Sequence, residues 1–358
     1  MDSLQNRSRR GWNSLSITRL DLLEEDARLS LRGIPTSRLA DKTVLITGAS
    51  GIVGTHFLFG LLHCQRQLGL RLKVVAVVQR GVPDHLKQLE QKGYARFLKG
   101  DMTEISFLES LPQAHVIVHA ATYGQPSLFI ENAVATLKLN TTATFALLEK
   151  LLPEGQFLFL SSSEVYSSLT SPPFSENQIG TTNTTHPRSC YIEAKRCGEG
   201  ICNAYRARGI DAKSARLCLV YGPGTRAEDK RVIYSFIEKA LREKVIRLLD
   251  KGEAKRTYCY IADAVYMMWR ILLEGKDPIY NVGGTSSTTI ADLAQLIGEL
   301  LDVPVHIPLE TSAGMVGAPD DVRLDLTKFI NEFGPIAFVD FQEGVARTVE
   351  WQKALYSK

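Results

Sequence analysis

Thr43-Val44-Leu45-Ile46-Thr47-Gly48-Ala49-Ser50-Gly51-Ile52-Val53-Gly54 carries an apolar run into a glycine-rich turn, and the apolar segment IVGTHFLFGLL follows. The glycine spacing is G-x-x-G-x-x-G, set between a strand pattern and a helix pattern. Glycine at these points allows a tight turn and lets a pyrophosphate approach the backbone at a helix N-terminus. A glycine triplet alone also suits a plain turn. Its place between strand and helix favours a dinucleotide.

Outward from this turn, short apolar runs alternate with helical segments: KVVAVVQ, ARFLKGD, VIVHAA, QFLFLSSS and SARLCLVYGP. Continuous apolar runs suit strands buried on both faces of a parallel sheet. Their alternation with helices predicts an α/β fold, a Rossmann-type doubly wound parallel sheet with a smaller C-terminal lobe. Residues 1–40 read as polar and then helical, an N-terminal accessory segment packed outside the main domain. The dinucleotide domain is expected over 41–223, completed by part of 260–285, where IADAVYMMWRILLEG reads as a returning helix. Residues 224–358, punctuated by Pro304, Pro308, Pro319 and Pro335, read mainly as a substrate-binding lobe.

Composition narrows the function. With 44% hydrophobic and 23% charged residues the chain has an ordinary globular balance. A net charge of +3 gives no electrostatic case for nucleic acid. No apolar stretch has the length of a membrane span, and the arginines near the start are not followed by a signal-like apolar run. The six cysteines, Cys64, Cys190, Cys197, Cys202, Cys218 and Cys259, form no C-x-x-C pair and no zinc-ligand spacing. The expectation is free thiols in a reducing cytoplasm and no metal.

The second apolar run ends at Val78-Gln79-Arg80. An acid there would bond the ribose 2′-hydroxyl of NAD, and an arginine can take the 2′-phosphate of NADP. Gln79 and Arg80 supply no acid, so NADP stays open beside NAD. Asp101, ahead of Met102, reads as an acceptor for the adenine amine or as a strand-end turn residue. Ala120 and Ala121 are small enough for a dinucleotide to lie close. His119 before them suits a core histidine equally and is given no chemistry.

Tyr191 and Lys195 form Y-x-x-x-K in the helix-like stretch RSCYIEAKRCGEGICNAYRARG. Residues four apart share a helix face. An ammonium and a nicotinium charge near a phenol are expected to lower its pKa from near 10 to near 7, about 4 kcal/mol of differential stabilisation. The phenolate would then accept the proton of a substrate hydroxyl. Ser162, in Ser161-Ser162-Ser163-Glu164-Val165-Tyr166, would hold the reacting oxygen at a strand end. Glu164 reads as a general acid or base, or as a turn cap.

With these residues in this order, the sequence resembles the extended short-chain dehydrogenases/reductases, the group of nucleotide-sugar epimerases, dehydratases and decarboxylases. The likeness runs from about Lys42 to Trp351 and covers TGASGIVG, HAAT with Thr122, the Asn140 region, SSSEVY, YIEAKR, RLCLVYGPG, RTYCYIADAV and YNVGG. It is most similar to UDP-glucuronate decarboxylases, through Ser162-Ser163-Glu164-Val165-Tyr166 and Cys190-Tyr191 to Lys195-Arg196. The resemblance implies a dinucleotide held by Gly48, Gly51, Ile52, Val53, Gly54, Gln79, Arg80, Asp101, Met102, Ala120, Ala121, Thr122, Asn140, Tyr191 and Lys195. It implies catalysis by Ser162, Ser163, Glu164, Tyr191, Lys195 and Arg256, and a substrate diphosphate near Arg231 and Arg256. Ser167 in place of the usual glycine, and Leu219 where many members carry asparagine, leave the sugar open.

The implied reaction is transient oxidation at sugar C4 followed by decarboxylation of a UDP-glucuronate-like substrate. A 4,6-dehydratase or an epimerase shares the first step. A non-catalytic dinucleotide-binding regulator is the alternative of another class. The helices read over 127–151 and 188–208 are the expected homodimer face.

Overall fold

The computed structural model describes residues 18–309 and 323–356. Its centre is a seven-stranded parallel sheet. Six strands arise in chain order, β1 (Thr43–Thr47), β2 (Lys73–Val78), β3 (Arg96–Lys99), β4 (Ala114–His119), β5 (Leu151–Ser162) and β6 (Asp211–Leu217). Short strands follow: β7 (Leu219–Tyr221), β8 (Ile246–Arg247), β9 (Lys255–Arg256), β10 (Tyr258–Tyr260), β11 (Ile279–Val282), β12 (Thr288–Thr289) and β13 (Val305–His306). The sheet order is β11-β6-β5-β4-β1-β2-β3. Strand order reverses between β1 and β4, the crevice where open α/β sheets bind ligands. β1 shows why the fold forms: Val44, Leu45 and Ile46 are all fully buried, so both faces must be covered.

Helices cover them. Those before the site are α1 (Arg19–Ser30), α2 (Ile52–Arg66), α3 (Asp84–Gln91), α4 (Ile105–Ser110), α5 (Pro126–Glu131), α6 (Ala133–Asn140) and α7 (Thr142–Leu148). Then come α8 (Ser189–Arg206), α9 (Val232–Glu243), α10 (Ile261–Glu274), α11 (Ile290–Leu301), α12 (Thr327–Phe333) and α13 (Phe341–Tyr356). Alternate residues of each central strand feed two cores, one holding Val44 and Ile46 and the other Leu45.

The structure differs from the sequence reading in two places. The run SARLCLVYGP is not one strand. It breaks at Cys218, with β6 in the main sheet and β7 paired in parallel with β10. The N-terminal helix is not an element lying outside the domain. Thr18 and Asp21 form its capping box, and Leu22, Leu23 and Ala27 are buried in the main core. Asp26 is wholly buried and accepts hydrogen bonds from Tyr260 (2.9 Å) and Arg347 (2.8 Å), and it lies 3.1 Å from His56 of α2. Residues 1–17 of the expected accessory segment lie outside the described residues.

After α9 the chain returns to the main sheet. β11 pairs with β6, and α10 is buried along nearly its whole length. α9, α11 and α13 pack together beside this unit. Among the described residues no helix is long and apolar enough to cross a membrane, and no group of His, Cys, Asp and Glu is arranged for a metal.

Candidate active site

β1 delivers the chain into the glycine turn at its carboxyl end. Gly48 sits at φ +64°, and a Cβ there would lie 2.6 Å from the Ala120 carbonyl oxygen. A Cβ on Gly54 would come within 2.5 Å of the Gly48 oxygen. Gly51 is the N-cap of α2 and contributes no side-chain cap, so the first N–H groups of the helix, those of Ile52 and Val53 among them, are left to bind something else. The backbone thus forms a cradle that side chains would fill.

Ala120, Ala121 and Thr122 follow β4 beside this turn, and the Ala121 N–H donates to the Thr47 hydroxyl (3.2 Å). Asn140 is buried at the end of α6 and donates to Thr122 (3.0 Å) and to the Thr136 carbonyl (2.7 Å). Its side-chain oxygen, also buried, has no hydrogen-bond partner among the described residues. An orphaned buried acceptor fits a group that donates there. Asp101 accepts from the Thr103 N–H (2.8 Å), which holds its carboxyl below the usual range, and from Gln79 (3.4 Å). Gln79 and Arg80 are exposed just past β2, and Met102 is buried. His119 lies between the Thr47 hydroxyl and the Leu139 carbonyl (both 2.8 Å), and burial pushes it down to about 3, so it is a neutral core histidine.

Most of the candidate catalytic residues come from two elements. β5 ends at Ser162, and Ser163–Tyr166 form a 3₁₀ turn capped by the Ser162 hydroxyl, which accepts from the Glu164 N–H (3.2 Å). α8 passes close to β5 because Gly198 leaves no side chain there. A Cβ at Gly198 would sit 2.2 Å from the Phe159 ring. That approach places Tyr191 and Lys195 under the strand end. The Tyr191 ring stacks on Phe129 at 4.5 Å and 14°, and Ser162 at the end of β5 is near enough to favour its phenolate. The Lys195 ammonium donates to the Leu160 carbonyl and lies 4.9 Å from the Phe159 ring and 5.5 Å from the Tyr191 ring.

The electrostatics differ from the sequence expectation. Burial pushes the Tyr191 phenol up to about 12; Ser162, Arg231 and Arg188 favour its phenolate, and Glu164 opposes it. Lys195 is itself drawn down to about 7 by burial, with Glu199 pulling the other way. Both charged forms lose solvation when buried, and one lysine does not offset that. Tyr166 belongs to the scaffold. Its hydroxyl donates to Asn281 (2.7 Å) and accepts from Arg216 (2.8 Å), which pairs with Glu199 (2.8 Å).

Arg231 precedes α9, is clamped by Asp229 (2.7 Å), and exerts its charge on Tyr191. Arg256 stands on β9, opposite Thr288 of β12, and its charge acts on Tyr258. Ser163 is half-buried at the start of the 3₁₀ turn. So Ser162, Glu164, Tyr191, Lys195 and Arg231 share one centre, and Arg256 approaches on a separate two-stranded element.

Two cations were missed by the sequence reading. Arg188, just ahead of α8, pairs with Glu164 and lies over the Phe129 ring (5.6 Å). Arg226 donates to Ser50 inside the glycine turn (2.8 Å). The R-S-C-Y order held a signal for Arg188, three residues before Tyr191. Nothing local marks Arg226.

The chain is similar to known proteins. The family described as NAD dependent epimerase/dehydratase matches residues 44–283. A UDP-glucuronic acid decarboxylase 5 of Arabidopsis thaliana is 32% identical over 84% of this chain and 86% of its own. The crystal structure of a dTDP-glucose 4,6-dehydratase from Streptomyces venezuelae, with NAD bound, superposes at TM-score 0.74 with 25% identity, over 87% of this chain and 97% of that one. A UDP-glucose 4-epimerase from Thermotoga maritima does so at 0.73 with 25% identity, over 87% and 99%. The chain belongs to the NAD-dependent epimerase/dehydratase family.

Proposed function

We propose that this chain decarboxylates UDP-glucuronate or a close relative of it, after oxidation at the sugar's C4. The observation that carries the reading is the buried Tyr191 phenol, which Ser162 and Glu164 at the end of β5 both influence, in a chain whose relatives include UDP-glucuronic acid decarboxylases. NAD fits the cradle of Gly48, Gly51, Ile52, Val53 and Gly54, with Ala120, Ala121, Thr122 and Asn140 along one side. Gln79, Arg80, Asp101 and Met102 line the adenosine end. Bound there, the dinucleotide supplies a hydride acceptor and a positive charge near the phenol.

Tyr191 takes the proton of the O4 hydroxyl, which Ser162 holds. With C4 at the ketone level the uronate is a β-keto acid. Its carboxylate leaves as CO2, and the bonding electrons enter the C4 carbonyl as an enolate. Ser163 and Arg256 position the carboxylate or stabilise that enolate. Glu164 handles the proton at C5. Arg231, clamped by Asp229, meets the substrate diphosphate. Incubation with UDP-glucuronate and NAD, followed by mass analysis, tests the reading. Loss of CO2 supports it. Conversion at unchanged mass to the C4 epimer replaces it with an epimerase, and loss of water from UDP-glucose replaces it with a dehydratase.

Dimerisation is part of the same proposal. Leu128, Ile130, Val134, Leu137 and Phe145 of α5, α6 and α7 are large apolar side chains left exposed. A second copy of the chain would cover them. A monomer in sedimentation analysis at micromolar concentration would refute it. The six free thiols fit a cytoplasmic setting.

A further inference from the structure

Arg188 stands at an electrostatically poor position. It is the residue before the first turn of α8, where the helix dipole favours anions and disfavours cations. Its guanidinium pairs with Glu164, and each side chain remains about a third exposed, 33% and 32%. The same guanidinium lies 5.6 Å from the Phe129 ring, whose face stacks on Tyr191. The two charges therefore sit together at the rim of the phenol rather than deep in the scaffold. Arg231, another cation acting on Tyr191, is clamped by Asp229.

A uronate brings its own carboxylate to C5, the carbon that Glu164 serves. Two carboxylates a few ångströms apart repel strongly in a partly dry cleft. We propose that Arg188 is a specificity-determining residue, which neutralises Glu164 so that a sugar bearing a carboxylate can dock beside it. The inference rests on the decarboxylase reading above. It adds a reason why the site accepts an acidic sugar in preference to a neutral one. Arg188 acts through Glu164, so its effect depends on the charge at Glu164.

The test compares UDP-glucuronate with UDP-glucose, which lacks the carboxylate. Dissociation constants are measured by calorimetry on the full chain with NADH, which leaves the sugar unoxidised. Arg188→Gln should weaken UDP-glucuronate about tenfold and UDP-glucose by less than about threefold. Arg188→Lys, which keeps the charge, should recover most of the loss. Adding Glu164→Gln to Arg188→Gln should return the ratio of the two constants to within about threefold of the wild type. Equal weakening of both sugars, or no recovery in the double variant, overturns the proposal. The wild type reports separately on the decarboxylase reading. Preference for UDP-glucuronate without CO2 release on adding NAD would sink that reading and leave the charge comparison intact. Wild-type protein that binds both sugars alike overturns both.

Discussion

Lys195 lies one turn beyond Tyr191 on α8, 5.5 Å from the centre of the tyrosine ring, with its ammonium bonded to the Leu160 carbonyl. Burial draws this lysine from its ordinary 10.5 down to about 7. The unfolded chain therefore binds one more proton than the folded one between about pH 7 and 10.5. Stability rises with pH wherever the unfolded state holds more protons. The burial cost of Lys195 is thus greatest below pH 7 and is relieved as pH climbs to 10.5. Three and a half units amount to about 5 kcal/mol. Denaturant unfolding of the wild type and of Lys195→Met, at pH 7 and pH 9.5, should show the difference moving in favour of the wild type as pH rises. A difference that does not change with pH would place the ammonium in water.

Tyr191→Phe removes the phenol oxygen and keeps the ring stacked on Phe129. Turnover of UDP-glucuronate should fall about 10²- to 10⁴-fold, the usual worth of a positioned general base. Binding of NAD, followed by quenching of protein fluorescence, should change little. Unimpaired turnover would remove the phenol from the chemistry. Loss of NAD binding would make Tyr191 a cofactor residue first.

The glycine turn separates conformational need from steric need. Gly48 has φ +64° and faces the Ala120 carbonyl at 2.6 Å from any added Cβ, whereas Gly51 has φ −83° and a nearest approach of 3.3 Å. Gly48→Ala should cost about 1–3 kcal/mol in thermal unfolding and abolish detectable NAD binding. Gly51→Ala should fold almost as the wild type and weaken NAD less. Equal effects of the two would show that the turn tolerates a shift of the Ala120 backbone.

How much of this was legible follows from the range of the forces. The parallel sheet could be read because strands such as β1 are buried on both faces and so are written as unbroken apolar runs. The Tyr191–Lys195 pair could be read because helical spacing is local. The β6–β7 break could not, since Cys218 is apolar and the run LCLVY continues through it. Arg188 meets Glu164 across 24 positions and Arg226 meets Ser50 across 176, and no periodicity reports such contacts. Residues 1–40 read as a segment packed outside the main domain. Asp26 is instead fully buried, because Arg347, 321 positions away, pairs with it.

That last pairing makes α1 part of the folded unit, although it lies outside the 44–283 stretch shared with the family. Asp26 receives Tyr260 and Arg347 and contacts His56, which is on α2, the helix that Gly51 caps. Removing one member of a buried charge pair leaves the other uncompensated, at a cost of about 3–5 kcal/mol. Asp26→Ala strands the Arg347 guanidinium, which still reaches Glu25 (2.7 Å) on the half-exposed side. The loss should therefore fall near the lower end, about 3 kcal/mol. Asp26→Asn keeps hydrogen-bonding capacity without the charge and should lose less. Chemical denaturation of the two variants checks the order. Because His56 ties the network to α2, NAD affinity should fall alongside stability in Asp26→Ala. An Asp26→Ala protein as stable as the wild type would mean that α1 rests on the domain without bracing it.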